Sequence, residues 1–156
     1  MRKWLIPLAG LAVLVLLLAA ILPPLLERNA VRRCVLDMQE AIKAEDMPAL
    51  EALILPAQRS LALPLIEPVL PGHGASVRSL RIRSMKRQGE GSYLVETVVS
   101  LDDPSWGRQI YEARLLLMRD AGHWQWSFSE SEGRQFSLTD EGGWTKVADW
   151  LNLAQP

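Results

Sequence analysis

"HWQWSF", residues 123–128, places Trp124, Trp126 and Phe128 at every second position. A period of two is the mark of a half-buried strand. Three large rings on one side of it are either a shelf held out for a ligand or the inner face of a strand in a core. The runs before it bear on that choice. Residues 77–85, 92–101 and 109–118 also read as strands, separated by the turn-rich "KRQGEG", "DDPSWGR" and "RDAG". Short loops between consecutive strands predict an antiparallel meander.

Trial pairing sharpens this. If the loop 102–108 centres on Ser105, Val95 faces Leu115, Thr97 faces Ala113 and Val99 faces Tyr111, while Glu96 meets Arg114 on the opposite face. With "RDAG" as a four-residue loop, Leu117 faces Trp124, Leu115 faces Trp126, and Ala113 leaves room for Phe128. The rings then share the apolar face of the two preceding strands, and His123, Gln125, Ser127 and Ser129 point away. A slip of one residue would turn every ring outward. The expectation is a core, in which loss of one Trp costs roughly 3–5 kcal/mol.

Upstream, the chain opens "MRKWLIPLAGLAVLVLLLAAILPPLLER", uncharged from Trp4 to Leu26. Pro23-Pro24 are expected to end this helix, because each ring lacks an amide proton and crowds the preceding turn. Residues 4–22 then rise about 28 Å, against a hydrocarbon layer of roughly 30 Å. Trp4 falls at the headgroup level, where indole is favoured. A cleaved signal peptide would show small residues before the cut, but Leu18 stands where one is wanted, so an uncleaved anchor fits better. Arg2 and Lys3 before the helix and Arg28, Arg32 and Arg33 after it leave the positive-inside rule without a clear vote. A three-residue tail ahead of a long C-terminal domain matches a bacterial signal-anchor. The expected place is therefore the inner (cytoplasmic) membrane, single-pass, with the soluble domain in the periplasm.

The 156 residues allow one modest domain beyond the anchor. Residues 1–26 are read as a transmembrane signal-anchor, 27–138 as an α+β domain, and 139–156 as a helical tail. Net charge is −1, yet residues 1–87 carry 12 Lys/Arg against 7 Asp/Glu and residues 88–156 carry 5 against 11. A basic half beside a membrane segment favours anionic headgroups, or is simply an uneven solvated surface. Cys34 is the one cysteine, so no internal disulfide forms.

Val31, Cys34, Val35, Met38, Ala41 and Ile42 fall on one stripe of a helical period, with Arg32, Arg33, Asp37, Glu40 and Lys43 opposite. Cys34 thus reads as a small core residue. A second helix restarts at "DMPALEALI", with Asp46 as N-cap and Pro48 in the first turn. The apolar, proline-interrupted stretch 55–74 holds a short helix near 59–69, able to fold over the core or to dock a partner. Residues 144–153 read as a helix with Trp144, Val147, Ala148 and Leu151 on one face. Leu61, Leu65, Trp144, Trp150 and Leu151 are the candidate partner-docking residues.

This order of elements, with "MQEAIKAEDMPALEALI", the pattern A-I-K-A-x-D-x-x-A-L-x-x-L from Ala41 to Leu53, and "GHWQWS" in the last strand, resembles the NTF2-like superfamily over residues 28–130. More narrowly, it is similar to the small exported or membrane-anchored bacterial domains of that group. The resemblance implies an NTF2-like cone, in which helices pack on a curved four-stranded antiparallel meander and leave a pocket. Tyr93, Tyr111, Thr97, Trp124 and Trp126 are its candidate lining.

Chemistry is thin. His73 and His123, some fifty residues apart, and one helical cysteine do not make a metal site. "PGHG" lacks the lysine and the strand–loop–helix setting of a phosphate loop. The inward strand faces show no Asp, Glu or His to act as acid or base beside the tyrosines. No metal, cofactor or catalytic residue is expected. "VRSLRIRSMKR" supplies a basic patch, Arg78, Arg81, Arg83, Lys86 and Arg87, without the interleaved aromatics that nucleic acid favours. It reads as a site for anionic lipid or an acidic partner, or as an edge strand protected by charge. The functional expectation is a non-catalytic, single-pass protein whose partners are the bilayer and other membrane or envelope proteins, as an accessory subunit of a larger assembly. A small-molecule carrier or sensor using the cone pocket is the alternative.

Overall fold

The structure, a computed structural model, describes residues 5–67, 70, 76–103, 107–135 and 143–149. Helix α1 (Leu5–Ala44) is continuous through Pro23 and Pro24, so the expected break there does not occur. Proline's fixed φ is itself helical. What the two rings remove are the bonds to the carbonyls of Ala19 and Ala20, and their adjacency confines both defects to one turn. Residues 13–26 are exposed on all sides, and the helix is long and apolar enough to cross a membrane. Farther along the same rod, Val31, Cys34, Val35, Met38 and Ala41 are buried, while Arg32, Arg33, Asp37, Glu40 and Lys43 are exposed. One helix thus has an exposed apolar half and a half built into the core.

Asp46 caps α2 (Met47–Ala52) by accepting the Ala49 amide at 3.0 Å. A 3₁₀ turn (Pro56–Gln58) leads into α3 (Arg59–Ile66), which buries Ala62, Leu65 and Ile66. The proline-interrupted stretch therefore folds onto the core.

Five antiparallel strands follow in the order β1 (Ser76–Gly89), β2 (Ser92–Asp103), β3 (Gly107–Asp120), β4 (His123–Gln135) and β5 (Thr145–Lys146). The expected four-stranded cone is thus an open five-stranded sheet. Its last strand comes from the segment expected to be helical, pairing Thr145 with Gly133 and Lys146 with Glu132. Only residues 147–149 are helical there among those described. Val147 packs over Gly133 there, its methyl 4.0 Å from where a Cβ on that glycine would stand.

Strands β2 and β3 pair in the expected register, Val95 with Leu115, Thr97 with Ala113, Val99 with Tyr111 and Glu96 with Arg114. Between β3 and β4 the expected pairs shift. Asp120 faces His123 across a two-residue turn, so Leu117 meets Trp126 rather than Trp124. Ala121 (φ 45°) and Gly122 (φ 86°) are both left-handed, the geometry whose twist suits a two-residue hairpin. An offset of two leaves facing unchanged. A bulge then sets residues 128–131 opposite Leu115 alone, and Gly133, not Phe128, faces Ala113.

One face of the sheet packs on the helices. Trp124, Trp126 and Phe128 are 9%, 6% and 0% exposed, so the rings of the last hairpin are core. Edge-to-face contacts join Tyr93 to Trp124 (5.4 Å) and Trp126 to Phe128 (5.1 Å). The Cys34 thiol donates to the Trp124 carbonyl at 3.3 Å, tying α1 to β4. The first half of β4 would otherwise be an open edge. Instead the Leu55 amide donates to the Trp126 carbonyl at 3.1 Å and the Trp126 amide to the Leu53 carbonyl at 2.6 Å.

Candidate functional site

Of the five pocket candidates, Trp124 lines a concavity between α1 and the β3–β4 turn. Thr97 is buried and donates to the Ala113 carbonyl at 3.3 Å. The Trp126 indole donates to Ser131 Oγ at 2.8 Å. Tyr93 is packed on Trp124, and its hydroxyl donates to Glu27 Oε2 at 3.4 Å. Burial, with the Glu27 charge behind it, raises the Tyr93 hydroxyl above the ordinary phenol value against the opposing Arg87. Tyr111, half-buried beside Gln135, stands nearer the other end of the sheet. Ser127, expected to point to solvent, is fully buried and accepts from Gln58 Nε2 at 3.2 Å.

The basic patch is neutralised. Arg78 meets Asp102 at 3.3 Å, Arg83 meets Glu112 at 2.6 Å, Lys86 meets Glu96 at 3.8 Å, and Arg87 meets Glu27 at 3.7 Å. Only Arg81 of the five has no carboxylate partner among the described residues. The strands explain three of these: alternation places acids of β2 and β3 on the same outer face as Arg78, Arg83 and Lys86, while Arg87 is met by Glu27 of α1. Glu96 also accepts from Ser84 Oγ at 2.8 Å. That bond, then Lys86 and Arg114, holds its carboxyl below the usual range against the effect of burial. The row continues across the sheet from Arg114 to Glu132 at 3.8 Å and from Glu132 to Lys146 at 3.7 Å. Glu112, whose side chain is 7% exposed, is held from both sides, with Arg134 also at 2.6 Å. Sequence reasoning missed it, since an outward position on a strand reads as solvated; the Arg134 on the same face of β4 was the available signal.

The docking candidates divide. Leu61 is exposed, but Leu65 is core. Trp144 is half-buried over the guanidinium of Arg114, 3.9 Å from its ring centroid, with that of Arg134 at 4.7 Å. It covers the charge row of its own sheet. Trp150 and Leu151 lie outside the described residues, as does His73.

The concavity that Trp124 lines, about 730 Å³, lies between α1 and the β3–β4 turn. Leu26, Asn29, Ala30 and Arg33 form its helix wall, and His123 and Trp124 its hairpin wall. Sequence offered no signal for it, because its walls meet only through the packing of α1 on β4. Among the described residues no group of three or more His, Cys, Asp or Glu could hold a metal ion.

No protein-family model matches the chain, and no curated protein matches it. Among solved structures, the chain is similar to that of a SEC-C motif-containing protein from Rhodopseudomonas palustris, at 18% identity and a TM-score of 0.51, over 60% of this chain and 70% of the other. At that identity the likeness is one of fold. The NTF2-like resemblance is overturned by it: the structural likeness leads to the SEC-C motif protein, and the sheet is open and five-stranded rather than a four-stranded cone.

Proposed function

We propose that this protein is a non-catalytic, membrane-anchored interaction domain, an accessory subunit held at a fixed height above the bilayer of a bacterial inner membrane, on its periplasmic side. The observation that carries this is the single helix Leu5–Ala44, exposed over residues 13–26 and built into the core from Val31 onward. No flexible linker intervenes between the apolar part and the domain. Glu27, the first charge past the apolar run, pins the rod to the sheet through Tyr93 and Arg87. The side chains that chemistry would need are engaged in structure: Glu112 between two arginines, Tyr93 against Glu27, Thr97 on a strand carbonyl.

The test is made on native membranes. Alkaline carbonate washing is expected to leave the full chain in the pellet. In mild detergent the chain is expected to migrate as part of a larger complex, and protease added to spheroplasts is expected to reach the domain. Release by carbonate, migration as a lone monomer, or protection from that protease would each overturn the corresponding part of the reading.

A further inference from the structure

The unbroken helix fixes which end of the domain meets the bilayer. Leu26 is the last residue of the apolar run, and Glu27 is bonded to Tyr93 and Arg87 beside the β1–β2 turn. The β3–β4 turn lies at the same end, since the Arg119 amide donates to the Gly91 carbonyl at 2.8 Å. At 1.5 Å per residue, Arg28, Arg32 and Arg33 stand about 3 to 10 Å beyond Leu26. A headgroup layer is roughly 5–8 Å deep on each side, and surface charges act over about 10 Å at 0.1 M salt.

Charge pairing separates this end from the rest of the molecule. Among the described residues, each sheet cation except Arg81 and Arg119 has a carboxylate partner. Arg28, Arg32 and Arg33 have none either. Residues 27–33, 86–91 and 118–123 together carry six Lys/Arg against three Asp/Glu, and of the six only Lys86 and Arg87 have carboxylate partners among the described residues. The groove lies at this end too, with Leu26 and Ala30 toward the membrane, Arg33 about a turn or two farther out and Asp37 a turn beyond it. That sequence of apolar wall, then cation, is the order in which a phospholipid presents acyl chain and phosphate.

We infer that this end, through Arg33 on the groove wall and through Arg28 and Arg119 on the helix and hairpin that form it, seats the headgroups of anionic phospholipids in the leaflet from which α1 emerges. The inference rests on the membrane-anchored reading above. It moves the lipid contact away from the β1 patch, whose cations are paired within the sheet.

The full-length protein in detergent is equilibrated with equal amounts of phosphatidylglycerol and phosphatidylcholine, and the lipid retained after removal of the excess is quantified. The retained pool is expected to be enriched several-fold in phosphatidylglycerol. Arg33→Gln and Arg119→Gln should each lower the enrichment by up to about fivefold, and raised salt should lower it for the wild type. Arg81→Gln removes an equally unpaired cation from the middle of the sheet's outer face and should leave the ratio unchanged. All three sites are exposed, so unaltered melting temperatures check folding. A ratio near unity, an enrichment indifferent to Arg33 and Arg119, or one lost equally in Arg81→Gln would overturn the inference. Release of the wild type by carbonate would instead overturn the anchor itself.

Discussion

The indole N–H of Trp126 donates to the hydroxyl of Ser131, five residues along the same strand, at 2.8 Å. This is possible because β4 bulges between them, and Ser131 holds the bulge closed. Its Oγ also accepts the Leu116 amide at 3.0 Å and donates to the Ser127 carbonyl at 2.8 Å. Gln58 clamps the outside, donating to Ser127 Oγ at 3.2 Å and accepting the Ser129 amide at 3.1 Å. A fully buried serine thus lets an aromatic core and an irregular strand coexist.

Ser131→Ala should leave an indole N–H and a strand amide buried without partners. Each such group costs about 1–3 kcal/mol, so a loss of roughly 2–6 kcal/mol is expected in urea unfolding of the full chain in detergent. A loss under about 0.5 kcal/mol, the range of ordinary surface changes, would mean that the bulge is held by other contacts.

The β3–β4 turn carries a left-handed alanine, Ala121 at φ 45°. A Cβ-bearing residue in that region is strained by roughly 1–2 kcal/mol, and asparagine tolerates it better, most of all before glycine. Ala121→Asn should raise the melting temperature. A fall would show that the turn adopts another geometry.

Cys34 is 5% exposed, with its thiol on the Trp124 carbonyl. Maleimide labelling in native conditions should therefore wait for opening of the domain and accelerate through the unfolding transition. Labelling at the speed of a free thiol in the folded protein would contradict the packing of α1 on β4.

Glu96 titrates below its ordinary value because Ser84, Lys86 and Arg114 favour its ionised form. Such a lowered carboxyl stabilises the fold fully above the unfolded value, near 4.5, and the contribution fades as pH falls through the lower folded value. The side chain is 27% exposed, so solvent keeps the effect under about 1 kcal/mol. Glu96→Gln should be less stable than wild type at neutral pH, with the gap closing in acid. A gap that persists to the acid end of the titration, once Glu96 is protonated in the folded protein, would assign the loss to shape rather than charge.

Much of the inner face was legible in the pattern of residues. Trp124, Trp126 and Phe128 alternate with Gln125 and Ser127, and the buried side of a strand depends only on parity, which survived even the two-residue error in the β3–β4 register. The 31-34-35-38-41 stripe was legible for the same reason. Ser127 shows the limit: its parity was right, but the loop containing Gln58 covers it.

What the linear order of residues determined by itself, then, was local periodicity: an apolar rod able to cross a membrane, a helix stripe, alternating strands, and the β2–β3 register. Three matters were left to the tertiary structure. They are the continuation of α1 through Pro23-Pro24, the neutralisation of the β1 arginines by acids from β2, β3 and α1, and the pairing of residues 145–146 with β4. The first turns on two adjacent prolines keeping a helical φ; the other two depend on groups far apart in the chain meeting at a few ångströms, and no repeat within a strand or helix encodes such a meeting. Local period decides which way a side chain points; only the packed fold decides what it finds there.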